Sequence, residues 1–161
     1  MPYNDDVIHV INRTALLENL LNQVIENYCS PRKDRFVFFW TVILDTSIMP
    51  MASKIKVAMA ISQKLDFDLK QNPLHDLLSY RNAFAHHATD AHPMLMVGRT
   101  ADEERSQFEL HIISSSGKIK RLSRESALAE FDHCYKEAKE SLLGLRNAVT
   151  RSMEGETKDA T

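Results

Sequence analysis

The chain has 161 residues, 43% of them hydrophobic and 26% charged, with a formal net charge of −2. This length suits one core and is short for two, and a near-neutral chain has no global attraction to nucleic acid, so any such contact needs a local basic surface. No apolar run approaches the roughly eighteen residues of a membrane span, and the opening Met-Pro-Tyr-Asn-Asp-Asp does not read as a secretory signal, so a cytoplasmic protein without membrane contact is expected.

From about Asp5 to Tyr28, Val7, Ile8, Ile11, Ala15, Leu16, Leu20, Val24 and Ile25 recur at three- and four-residue steps, which predicts an amphipathic helix capped by Asn4 or Asp5. Phe36 to Leu44 is rich in aromatic and β-branched residues, so composition alone allows a buried strand. No strong breaker intervenes before Pro50, and the length of the run favours a buried helix. Ala52 to Leu65 reads as a third helix, with Ile55, Met59, Ser62 and Leu65 on one face and Lys54, Lys56 and Lys64 outside it. Asn72 and Pro73 suit the cap and early turn of a fourth helix, for which Leu74, Leu77, Leu78, Tyr80, Phe84 and Ala85 supply apolar contacts.

After Pro93 the period changes. Met94 to Val97, Gln107 to Ile113 and Lys118 to Leu122 read as short β segments, the last two joined through Ser114-Ser115-Ser116-Gly117. Thr100 to Ser106 reads as an exposed loop. Ser123 is a good N-cap for a last helix whose stripe runs through Leu128, Phe131, Tyr135, Ala138, Leu142, Leu145 and Val149 to about Thr150. The expectation is an all-α fold in the main: about five helices, with a small β-hairpin inserted at about 94–122 before the last one. One domain over 1–151 and a disordered tail over 152–161 complete it.

The segment most informative about chemistry is Leu77-Leu78-Ser79-Tyr80-Arg81-Asn82-Ala83-Phe84-Ala85-His86-His87. It resembles the HEPN superfamily, whose signature is an Arg, four to six residues, then a His, commonly with a polar residue just after the Arg. Arg81, Asn82 and His86 match, and His87 matches the longer spacing, so which histidine is used stays open. The long first helix, the aromatic second, the Lys-Ile-x-x-Ala third and the Leu-rich lead into Arg-Asn are similar to a HEPN layout over roughly Asp5 to His87, with the final helix.

The resemblance implies a homodimer that juxtaposes two copies of the motif, and a metal-independent endoribonuclease without a cofactor, often in toxin–antitoxin or anti-phage systems with a protein antitoxin or regulator. Other members bind nucleotides or have lost catalysis. The residue types suit cleavage: a histidine titrates near neutral pH and serves as acid or base, an arginine offers a charged fork to phosphate, and Asn82 can orient either. On a straight helix, residues five apart are rotated by about 140°, so Arg81 and His86 diverge unless a dimer cleft or a bend at the helix end brings them together.

Plainer readings exist for each feature. Arg81 can pair with Asp76 or Asp45 while His86 packs at a helix end. His75, His86, His87 and His92, with Asp76 and Asp90, match no familiar zinc spacing, and no metal is expected. Phe36 to Trp40 reads as core rather than a base-stacking platform. Tyr80 and Phe84 read as core or dimer packing. Lys118, Lys120, Arg121 and Arg124 form the one dense basic cluster, ordinarily a solvated face but the place for RNA backbone contacts if RNA binds. Cys29 and Cys134 read as reduced, semi-buried thiols, and no Gly-x-Ser-x-Gly or Gly-rich phosphate loop is present. The alternative to a nuclease is a catalytically silent HEPN-like module that binds a protein or nucleic acid, with the hairpin as its docking surface.

Overall fold

A computed structural model of the chain describes residues 2–89, 109–114 and 116–159. In chain order it contains α1 (Pro2–Cys29), α2 (Phe36–Phe38) continued by a π-helical turn at Phe39–Ile43, α3 (Met51–Lys64), α4 (Gln71–Thr89), the strands β1 (Glu109–Ile113) and β2 (Ile119–Ser123), and α5 (Arg124–Asp159). The fold is therefore mainly α, with five α-helices among the described residues and an antiparallel hairpin before the last. Met94–Val97 and Thr100–Ser106 lie outside the described residues. The last helix runs to Asp159, beyond Thr150 where its apolar stripe ends.

The chain forms two compact units, one from Met1–Thr14 and Asn72–Tyr135, the other from Ala15–Gln71 and Lys136–Thr161. In the first, Leu74, Leu77, Tyr80 and Phe84 form the buried stripe of α4, and Ala127, Phe131 and Tyr135 that of α5. The hairpin register pairs Leu110 with Leu122 and Ile112 with Lys120. Leu110 and Ile112 are buried while His111 and Ile113 are exposed, the alternation of a half-covered strand. Gly117 closes the turn at φ +79°, a conformation that favours glycine, and its N–H donates to the Ser114 carbonyl at 2.9 Å. Ser123 Oγ accepts from the Ser126 N–H at 3.2 Å, so Ser123 caps α5 as expected. α1 is fastened to α5 within this unit by His9 Nε2 and Asp132 Oδ1 at 2.9 Å and by Arg13, whose guanidinium also lies 4.8 Å from the Tyr135 ring centroid.

In the second unit the core is built by Leu17, Leu21 and Val24 of α1, Ile55 and Ala58 of α3, and Leu142 and Leu145 of α5. The phase of α1 departs in part from the expected stripe: Leu20, Val24 and Ile25 are buried as expected and Val10, Leu17 and Leu21 join them, whereas Ile8 is 50% and Leu16 62% exposed. A helix this rich in apolar residues has two apolar lines, and periodicity does not say which one faces the core. Gly144 finds its reason here, because a Cβ at that position would meet the Phe67 ring at 2.9 Å.

Two further expectations are corrected. Lys54 is not outside the third helix; its side chain is 1% exposed. Met51, Lys54, Ile55, Ala58 and Ile61 lie on one helical line, and the Lys54 Nζ donates to Glu18 Oε1 at 2.5 Å, which also accepts from Thr46 Oγ1. A buried ammonium is tolerable only with such a counter-charge. Phe36 to Trp40 is not core either. Phe36, Val37, Phe38 and Val42 are exposed, and Phe39, Trp40, Ile43 and Leu44 turn inward. Consecutive helical residues are about 100° apart, so a short turn that is apolar all round can bury only one side against its own chain.

Glu18→Ala strands the Lys54 charge in the core and is expected to cost about 3–5 kcal/mol in urea unfolding, whereas Glu18→Leu with Lys54→Met stays within roughly 1–2 kcal/mol of wild type. Ser123→Ala, read in the same melts, costs about 1 kcal/mol.

Candidate functional site

The period of α4 that buries Leu77, Tyr80 and Phe84 turns Arg81, Asn82 and His86 to the surface, where all three are exposed. Arg81 Nη1 donates to Asn82 Oδ1 at 3.1 Å, which brings the first two motif residues together. Among the described residues no carboxylate forms a salt bridge with Arg81. Asp45, one suggested partner, instead accepts from the hydroxyl and the N–H of Ser47, which hold its carboxyl below the usual range. His87 lies in α4, and its side chain is outside the described ones.

The chain is α-helical without interruption from Gln71 to Thr89. The rotation of about 140° between Arg81 and His86 is therefore kept within one chain. Among the described residues no group of three His, Cys, Asp or Glu side chains is placed to hold a metal ion; His92 and Asp90 lie outside that description.

Behind the motif lies a polar network that the sequence did not reveal. The buried Tyr80 hydroxyl donates to Glu130 on α5, and Lys120 of β2 donates to both carboxylate oxygens of Glu130, at 2.8 and 2.5 Å. Burial, then the Glu130 carboxylate, pushes the Tyr80 phenol far above its ordinary value, so it is a fixed donor. The hydrogen bonds from Lys120 and then Tyr80 hold the Glu130 carboxyl below its own. The network fixes α4 just before Arg81 and borders a groove of about 480 Å³ lined by Ser79, Tyr80, Ile112, Lys118, Ile119 and Glu130 among others. The available signal was the place of Glu130, three residues from the buried Ala127 and next to the buried Phe131, at the margin of the α5 stripe.

The basic cluster is divided by its partners. Lys120 is paired with Glu130, and Arg124 Nε donates to Asp6 Oδ2 at 2.7 Å with its guanidinium 5.3 Å from the Phe84 ring centroid. Lys118 and Arg121 are exposed. Neither Cys29, which is exposed, nor Cys134, at the rim of the groove, forms a disulfide. No family model, curated protein or solved structure matches the chain.

The network gives stability a definite acid limb. A carboxyl held low in the folded state stabilises the fold above the ordinary glutamate value of about 4.5 and loses that contribution as pH falls through its own lower value. Glu130→Gln is therefore expected to lower the urea midpoint at neutral pH and to flatten its decline below about pH 4.5, in melts run from neutral to acid pH.

Proposed function

We propose that the chain is a metal-independent endoribonuclease of the HEPN type that works as a cytoplasmic homodimer, in the setting of a toxin–antitoxin or anti-phage system with its own protein regulator. The observation that carries this reading is Arg81: exposed, bonded to Asn82, and without a salt-bridging carboxylate among the described residues. An exposed arginine without a carboxylate partner keeps its charged fork of donors available to a phosphate.

In this mechanism Arg81 holds the scissile phosphate, and Asn82 keeps the guanidinium oriented. His86, with His87 as the reserve candidate, takes the proton from the 2′-hydroxyl and returns one to the leaving 5′-oxygen. The uninterrupted α4 rotates Arg81 and His86 about 140° from each other within one chain, which supports a cleft that takes one of these residues from each copy. Lys118 and Arg121 remain as exposed cations for backbone contacts, while Lys120 and Arg124 act mainly to hold the hairpin and α5.

One observation favours a second reading, the catalytically silent module that docks a protein through its hairpin. Ile113 and Ile119 face each other across the strands, 59% and 66% exposed, beside the neutralised Lys120. An apolar pair of this kind suits a protein partner better than a phosphate backbone.

Purified protein in EDTA is expected to cleave single-stranded RNA, and Arg81→Ala and His86→Ala each lose about 100-fold or more of that rate. Expression of wild type then arrests growth while His86→Ala does not. No cleavage by wild type on varied RNAs, with both forms equally harmless, would transfer the assignment to the docking module.

A further inference from the structure

The second unit presents a turn that the nuclease reading does not use. Phe36, Val37 and Phe38 are 42%, 69% and 59% exposed, three successive apolar side chains that their own chain covers only in part. At roughly 200 Å² per phenylalanine, the two rings alone leave about 200 Å² in water, a substantial part of the largest apolar patch on an ordinary monomer. The turn is held in shape from behind. Trp40 is half-buried with its ring centroid 6.4 Å from that of Phe36, and Thr41 Oγ1 donates to the Val37 carbonyl at 2.8 Å. On its N-terminal side stand Arg32, Lys33 and Arg35, all exposed, against the single carboxylate of Asp34.

The same unit holds a feature of opposite charge. A groove of about 420 Å³ is lined by Glu26, Asn27, Ser30, Thr150, Met153 and Glu154. Among the described residues two carboxylates and no cation line it, and Ser30 on its wall is two residues from Arg32, so the cationic, aromatic turn begins close in the chain to the acidic groove.

We infer that this face docks a second copy of the chain, the turn Arg32–Phe38 of each copy seating its cations at Glu26 and Glu154 and its rings on the flanking surface of the other. The inference rests on the homodimer reading above for the presence of a second copy, and adds to it a contact made outside α4. Complementarity of charge within one unit is what a two-fold interface requires, because each contact is then made twice. An anionic bilayer fits less well, since it would repel Asp34 within the turn and the carboxylates Glu26 and Glu154 of the groove.

Sedimentation of the full chain tests this. Wild type is expected to be a dimer, and Phe38→Glu to weaken it by about 100-fold, as loss of an aromatic anchor does. The exchange Lys33→Glu with Arg35→Glu also dissociates it, and adding Glu26→Lys with Glu154→Lys on the same chain restores it while the circular dichroism of all variants stays that of wild type. A wild type that stays monomeric, a dimer indifferent to these substitutions, or a monomer that binds phosphatidylserine vesicles through Phe38 would each overturn the inference. RNA cleavage followed on the same samples separates the two readings. A dimer that responds as described but cleaves nothing contradicts the nuclease alone, and an active dimer that ignores the substitutions contradicts this face alone.

Discussion

An α-helix returns to the same side every 3.6 residues, and the chemistry open to this chain follows from how α4 uses that period. Leu74, Leu77, Tyr80 and Phe84 take the buried side, which leaves Arg81, Asn82 and His86 outside whatever else the fold does. Phe84 is fully buried and Tyr80 nearly so, so the outward residues cannot rotate without taking these rings out of the core. The Tyr80–Glu130–Lys120 network adds a polar lock at the same place. What results is Arg81 and Asn82 joined on one helix, with His86 rotated about 140° from the arginine.

Charge is handled differently at the surface and in the core. In the first unit, cations lie near the surface and meet carboxylates there: His9 and Arg13 with Asp132, Lys120 with Glu130, Arg124 with Asp6. The second unit shares this surface arrangement in Arg32 with Asp34 and Lys70 with Glu137. Exposed pairs of this kind contribute little individually and serve to set geometry. In the core of the second unit, Lys54 is sealed against Glu18, where neither group can be lost without leaving the other stranded. Arg81 stands with Lys118 and Arg121 outside these pairs, and its guanidinium has Asn82.

Much of the fold was legible because its causes are local. The three- and four-residue spacing around Leu74 to Phe84 and Phe131 to Leu145, the Ser-Gly turn of the hairpin and the Ser123 cap all act within a few residues of the chain. The errors fall where the deciding partner is distant in sequence. Nothing near Lys54 announces Glu18, 36 positions away, and nothing near Tyr80 announces Glu130, 50 positions away. The aromatic run failed for another reason: hydrophobicity says that Phe36 to Phe38 should leave water, but not that the cover comes from the same chain. For the site, the composition of Arg81-Asn82-x-x-x-His86 was readable, and the exposure of all three residues follows from helical phase. The pairing across copies proposed above is a matter between two chains, on which the order of residues in one is silent.

A cleft assembled from two copies is the central claim, and it has a direct test in complementation. Arg81→Ala and His86→Ala proteins, each inactive alone, are mixed, allowed to exchange subunits and assayed on single-stranded RNA. If Arg81 of one copy works with His86 of the other, half of the dimers regain one intact site of two, and the mixture recovers about a quarter of the wild-type rate. A mixture as silent as its components, from dimers shown to have exchanged, would contradict a shared cleft.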